Sequence, residues 1–222
     1  DTLRSRGLGD VYKRQDHTVI GEESGLLQGK DDEVQWIIDP LDGTTNFVKG
    51  LPHFSVSIAV RIKGKTEVAC VYDPMLNELF TAQRGSGAQL NNARIRVKQV
   101  KDLQGTVLAT GFPFKQKQHS ESYFKIMSAL FVDCSDFRRT GSAALDLCYL
   151  AASRVDGFFE LGLKPWDIAA GELIAREAGA IVTDFAGGTD YMKSGNVVAS
   201  SARGVKGMLK HIRENGNEAL LK

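Results

Sequence analysis

A chain of 222 residues is long enough for one domain, or two closely packed lobes, around a sizeable core. With 42% apolar and 25% charged residues and a formal net charge of +1, nothing pulls the whole molecule toward nucleic acid or an anionic membrane. No apolar run approaches the roughly 18–20 residues that span a bilayer. No secretory signal is visible, and the widely spaced Cys70, Cys134 and Cys148 fit neither a disulfide framework nor a zinc pattern, so the expected setting is cytoplasmic.

Residues 1–15 carry four cationic side chains and little periodicity, and read as a loose leader. His17 to Ile20 reads as a short strand that runs into Gly21-Glu22-Glu23-Ser24, two adjacent acids at a strand end. Residues 25–33 read as a polar loop. A strand over 34–39 follows, with Trp36-Ile37-Ile38 as its buried run; Pro40 is expected to stop it at Asp39. Asp42 comes next, Gly43 lets the chain turn, and Thr44-Thr45 open a short helix. Two carboxylates at a strand end suit a hard divalent cation, and a helix amino end suits a phosphate. Alternation over Pro52 to Lys63 predicts a long strand, with return strands over 67–73 and 78–82 and hairpin turns at 85–88 and 91–92. One more strand, 106–110, is broken by Gly111-Phe112-Pro113, the expected lobe boundary.

The second half alternates. Helices are expected over 120–130 with Ser120 as cap, 141–153, 166–178 and 202–214. Strands are expected over 135–139, 157–161, 180–184 and 196–200. The pattern is a strand-rich α+β lobe with antiparallel meanders over 16–112, carrying the metal and phosphate site, followed by an α/β lobe over 113–222.

Four carboxylates, Glu22, Asp39, Asp42 and Asp167, recur at strand ends or helix starts. Brought together they would repel one another unless cations filled the gap. Oxygen donors without Cys or His favour Mg²⁺ or Mn²⁺ over zinc, and a pair of such ions suits phosphoryl transfer. Each residue alone has a plainer reading: turn residues at Asp39 and Asp42, a helix N-cap at Asp167, a solvated loop at Glu22, a cap at Thr44-Thr45, close helix packing at Gly141-Ser142-Ala143-Ala144.

Three segments in this order resemble the signatures of the inositol monophosphatase family: Gly21-Glu22-Glu23-Ser24, the stretch from Trp36 to Phe47, and Trp166-Asp167-Ile168-Ala169-Ala170-Gly171. Arg138 to Ala144 and Asp156 to Glu160 resemble its bacterial inositol-1-monophosphatase branch. The likeness covers roughly residues 16–222. It implies a layered αβαβα sugar-phosphatase sandwich, with a mainly antiparallel first sheet and a mixed α/β second lobe. It also implies Mg²⁺-dependent hydrolysis of myo-inositol 1-phosphate by a metal-activated water, without a covalent intermediate. Glu22, Asp39, the Leu41 carbonyl, Asp42 and Asp167 would hold two or three Mg²⁺ ions. Glu22 and Thr44 would activate the water, with Asp42 beside them in the catalytic group. The amides of Gly43, Thr44 and Thr45 would hold the phosphate, and Gly141, Ser142, Ala143 and Glu160 the ring, with Asp167 at its edge. Lithium sensitivity and a homodimer are implied by the same likeness.

Family members carry further helices ahead of the first motif, packed on the first sheet. Residues 1–15 do not resemble them, so the first helical layer is expected to be missing, with an apolar patch exposed on the first lobe and activity impaired. Two alternatives stand beside the main reading. One is a related phosphatase acting on fructose bisphosphate or a 3′-phosphoadenosine nucleotide. The other is a non-catalytic partner in a ribosomal RNA transcription complex, for which Arg138, Arg139 and the cations of 203–213 offer surfaces.

Overall fold

The computed structural model describes residues 16–221; the leader expected over 1–15 lies outside them. Two sheets organise the chain. The first has eight strands in the order β2-β1-β3-β4-β5-β6-β7-β8, formed by β1 (His17–Gly21), β2 (Gly25–Leu27), β3 (Asp31–Asp42), β4 (Ser55–Ile62), β5 (Lys65–Asp73), β6 (Glu78–Gln83), β7 (Gly87–Leu90) and β8 (Ala93–Ile95). Every neighbouring pair in it is antiparallel except β1 with β3. The second has five strands in the order β10-β9-β11-β13-β12: β9 (Val107–Thr110), β10 (Asp136–Arg138), β11 (Gly157–Glu160), β12 (Ile181–Thr183) and β13 (Val197–Ser200). There β10, β9 and β11 run parallel, while β13 is antiparallel to both β11 and β12. Thus β9, which precedes the expected boundary at residue 112, pairs with strands that follow it.

Pairing overrides two local expectations. Asp39 and Pro40 do not end β3, which continues to Asp42 through a bulge: Asp39 faces Ser57 and Asp42 faces Ser55. A bulge leaves a residue out of the ladder, so the missing N–H of Pro40 costs no sheet hydrogen bond. The loop expected over 25–33 contains β2 and the start of β3, because Val19-Ile20-Gly21 of β1 supply a partner edge for Gly25–Leu27. Strand β4 starts at Ser55 rather than Pro52, and β8 follows the expected 91–92 turn.

Among the described residues, six α-helices complete the architecture: α1 (Thr44–Val48), α2 (Ser120–Asp133), α3 (Ala143–Ala151), α4 (Pro165–Glu177), α5 (Tyr191–Ser194) and α6 (Ala202–Asn215). Helix α3 is buried from Ala143 to Cys148, and α4 from Ile168 to Ala175. Both are buried on nearly every side because they lie between the sheets, and the acids they carry inside, Asp146 and Glu172, are hydrogen-bonded. They share one core with Ile37, Ala59, Val71 and Phe80 of the first sheet and Ala109, Phe158 and Val197 of the second. The other face of the second sheet packs Leu108, Phe159 and Val198 against Tyr123, Ile126 and Leu130 of α2 and Val205, Met208 and Ile212 of α6. The layers are therefore sheet, helices, sheet, helices. On the far side of the first sheet, Trp36, Ile38, Val56, Ile58 and Val60 are half-buried, and Ile62, Val68 and Leu79 are exposed.

Two expected caps differ in detail. Ser120 is the first residue of α2 and its hydroxyl donates back to the Lys117 carbonyl, so His119 holds the cap position. Asp167 is not the N-cap of α4. It sits three residues into the capping box and accepts from the Lys164 N–H at 2.7 Å.

Candidate active site

The bulge ends β3 with Asp39 and Asp42 both turned inward. Gly43 then adopts φ 95°, which an L side chain disfavours, and a Cβ there would crowd the His53 carbonyl and Phe54. That turn starts α1, whose Asn46 side chain donates to the carbonyls of His53 and Thr140, tying the first lobe to the loop before α3.

Oxygens of Asp39, Asp42 and Asp167 gather within 4.8 Å of one another. Each carboxylate is anchored through one oxygen. Asp39 Oδ1 accepts from the Leu41 N–H at 2.9 Å. Asp42 Oδ2 accepts from Ser142 Oγ at 2.5 Å and the Ala144 N–H at 2.9 Å. Asp167 Oδ2 accepts from Lys164. The remaining oxygen of Asp39, Oδ2, is buried without a hydrogen-bond partner among the described residues.

Burial and crowding raise the pKa values of this cluster. Asp39 is pushed up to about 7, chiefly by burial, with the charges of Glu22 and Asp167 adding and the Leu41 amide opposing. Asp42 is also raised to about 7, first by burial, against the Ser142 hydrogen bond. Asp167 is raised by burial with help from Glu22. Three carboxylates that resist ionisation side by side, one with an orphaned oxygen, describe a site short of positive charge. An all-oxygen donor set fits a hard divalent cation.

The cluster opens into a cleft of about 580 Å³. Glu22, Asp42, Gly43, Thr44, Thr45, Gly141, Ser142, Ala143, Glu160 and Asp167 all line it, so residues from five separate stretches of the chain converge there. Asp39 lies behind in the acidic cluster. Leu41 is turned so that its carbonyl accepts from Thr44 Oγ1 at 3.0 Å. Glu22 lies outside the tight triad: it interacts with Asp39 and has Lys115 Nζ at 3.9 Å from Oε1. The carboxyl of Glu160 is raised well above the usual range, mainly by burial, and a Cβ at Gly111 would run into it.

The sequence reading overlooked Asp146, Lys115 and the wall built by Phe112 and Phe114. Asp146 is 1% exposed and accepts from Thr140 Oγ1 at 2.7 Å, and burial lifts it to about 8. An acid alone inside the apolar run Ala143-Ala144-Leu145-Asp146-Leu147 was the available signal. Arg139, noted only as surface charge, also lines the cleft, with its guanidinium over the Phe112 ring.

A sequence profile of the inositol monophosphatase family matches residues 11–217. A protein of Vibrio cholerae named Nus factor SuhB is 83% identical over 93% of this chain and 78% of its own length. Among solved structures, the extragenic suppressor protein suhB of Bartonella henselae superposes with a TM-score of 0.88 at 41% identity, over 91% of this chain and 78% of that one. An inositol monophosphatase from Anabaena superposes with a TM-score of 0.87 at 33% identity, over 99% of this chain and 88% of that one.

Proposed function

Because the chain belongs to the inositol monophosphatase family, we propose for it both a transcription-complex role, as a Nus factor, and hydrolysis of a phosphate monoester at the acidic cleft. The first part is supported by the name of the Vibrio cholerae relative at 83% identity. The second is supported by the convergence of Asp39, Asp42 and Asp167 on one point.

For the chemistry, Asp39, Asp42, Asp167, Glu22 and the Leu41 carbonyl would hold two or three Mg²⁺ ions. Ions so placed offset the carboxylate charge, polarise the phosphoryl oxygens and supply an acidified water. The residues of this chain do the positioning. Ser142 and the Ala144 amide fix the rotamer of Asp42, and the capping box fixes Asp167 at the first turn of α4. Thr44 and Glu22 would orient the attacking water, and the amides of Gly43, Thr44 and Thr45 would take the phosphate. Gly141, Ser142, Ala143 and Glu160 would hold the alcohol, proposed as the ring of myo-inositol 1-phosphate. A buried carboxyl such as Glu160 can exchange hydrogen bonds with adjacent hydroxyls. No helix among the described residues is long and apolar enough to cross a membrane, and we place the protein in the cytoplasm as a homodimer.

Two experiments test the two parts separately. Phosphate release from myo-inositol 1-phosphate is expected with Mg²⁺ and not after chelation, and a substrate panel including fructose bisphosphate and 3′-phosphoadenosine nucleotides is expected to rank it first. Release that ignores chelation refutes the hydrolase part. Transcription-complex proteins should be captured equally by the wild type and by Asp39→Asn. Failure of both to capture them refutes the Nus-factor part.

A further inference from the structure

Helix α3 carries a carboxyl that the chemistry at Asp39, Asp42 and Asp167 does not use. Asp146 is the fourth residue of that helix, 1% exposed among the buried Ala143, Ala144, Leu145 and Leu147, and it lines the cleft. Among the described residues it forms no ion pair, although the charge of Arg139 reaches it. A carboxyl held out of water without an ionic partner costs free energy, so packing alone gives no reason for it. The one hydrogen bond its side chain makes among the described residues comes from Thr140 Oγ1, at 2.7 Å. Thr140 is held from both sides. Asp146 fixes its hydroxyl on α3, and its carbonyl accepts from Asn46 Nδ2 at 2.9 Å. The same amide donates to the His53 carbonyl at 2.8 Å, so Thr140 ties α1 to α3. Next comes Gly141 at φ 98°, where a Cβ would meet Arg139 Nη1 and Asn46 Nδ2, each at 2.9 Å. Glycine backbone is free to turn, so its course there is set by the anchors on either side. Ser142 and the Ala144 amide are anchored separately, on Asp42. One anchor thus serves the acidic cluster and the other serves the wall at Gly141.

We propose that Asp146 is a positioning residue for the alcohol half of the substrate: by holding Thr140 it sets the wall at Gly141 in register with the phosphate-binding turn at α1. This rests on the hydrolase reading, in which that turn takes the phosphate and Gly141, Ser142, Ala143 and Glu160 take the ring. Asp146 acts through Thr140 and touches neither the reacting atoms nor a cation. Its loss weakens the grip on the polyol and spares the chemical step.

The test is steady-state hydrolysis, with Mg²⁺ in excess, of two esters: myo-inositol 1-phosphate, and phenyl phosphate, whose alcohol has no further hydroxyl. Asp146→Ala and Thr140→Val should each raise KM for the inositol ester about tenfold, with kcat and the KM for phenyl phosphate changed less than about twofold. The double variant should be no worse than either single one, because both remove the same bond. Asp146→Asn keeps an acceptor for Thr140 and should bring KM back to within about threefold of wild type. If Asp146→Ala does not fold, Thr140→Val, on a partly exposed loop, decides alone. A KM rise shared equally by both esters, a loss of kcat at constant KM, or single variants whose effects add overturn the proposal and leave the hydrolase reading standing. Wild type that releases phosphate from neither ester overturns both.

Discussion

Asp39 occupies a position where sheet geometry, burial and charge collide. Its backbone belongs to a bulge, its Oδ1 is spent on Leu41, and its Oδ2 is buried with no donor among the described residues. Without a cation the cheapest response is to keep the proton, hence the rise of Asp39 and Asp42 to about 7. The sign follows by linkage. A carboxyl whose folded value lies above the unfolded one, about 4, contributes stability that is complete below that unfolded value and is lost as pH rises through about 7. The thermal midpoint of chelator-treated protein should therefore fall by roughly 3–6 °C between pH 5 and pH 8. Added Mg²⁺ should restore it at pH 8 and do little at pH 5. Asp39→Asn should flatten the pH response and abolish the Mg²⁺ stabilisation. Calorimetry at the two pH values checks this, and an Asp39→Asn variant with an unaltered pH response would contradict it.

At the scale of elements, the site depends on close approaches that only small residues permit. The segment after β9 passes so near β11 that Gly111 abuts the carboxylate of Glu160. Gly111→Ala would push Glu160 out of the cleft while leaving the triad at Asp39, Asp42 and Asp167 in place. The expected outcome is a KM for myo-inositol 1-phosphate raised roughly tenfold with kcat changed less than about twofold, as when one hydrogen-bonding group for a substrate hydroxyl is lost. Loss of kcat at constant KM would place Glu160 in the chemical step instead. Likewise, at Gly171 a Cβ would meet Leu147 at 2.7 Å, where α4 crosses α3. Gly171→Ala overpacks that contact and should cost about 1–3 kcal/mol in denaturant unfolding.

Across the described residues, the outer face of the first sheet is apolar. Ile62 is 41% and Val68 46% exposed, beside half-buried Trp36, Ile38, Val56, Ile58 and Val60. A contiguous surface of this kind binds hydrophobic probes and invites association. The chain should enhance the fluorescence of an anilinonaphthalene dye, and Ile62→Lys/Val68→Lys should remove about half of that signal without altering the circular dichroism. An unchanged signal would mean that the dye binds elsewhere.

What could be read from residues alone was whatever depends on neighbours in sequence. Alternation marked β4, β5 and β6, apolar blocks marked α3 and α4, and the motif order pointed to the family and to Glu22, Asp39, Asp42 and Asp167. These are local signals, since side-chain period and turn chemistry act over a few residues. Features set by partners distant in sequence became visible only on folding. Pro40 sits inside a strand because β4 offers a bulged register, and Gly25–Leu27 is a strand because β1 presents an edge. Asp146 lines the cleft with Thr140 Oγ1 donating to it, and the carboxylate of Asp42 accepts from Ser142 Oγ, a residue far along the chain. Burial of a carboxyl, and with it the charge deficit at the acidic cluster, is a property of the packed layers and is written in no single stretch of the chain.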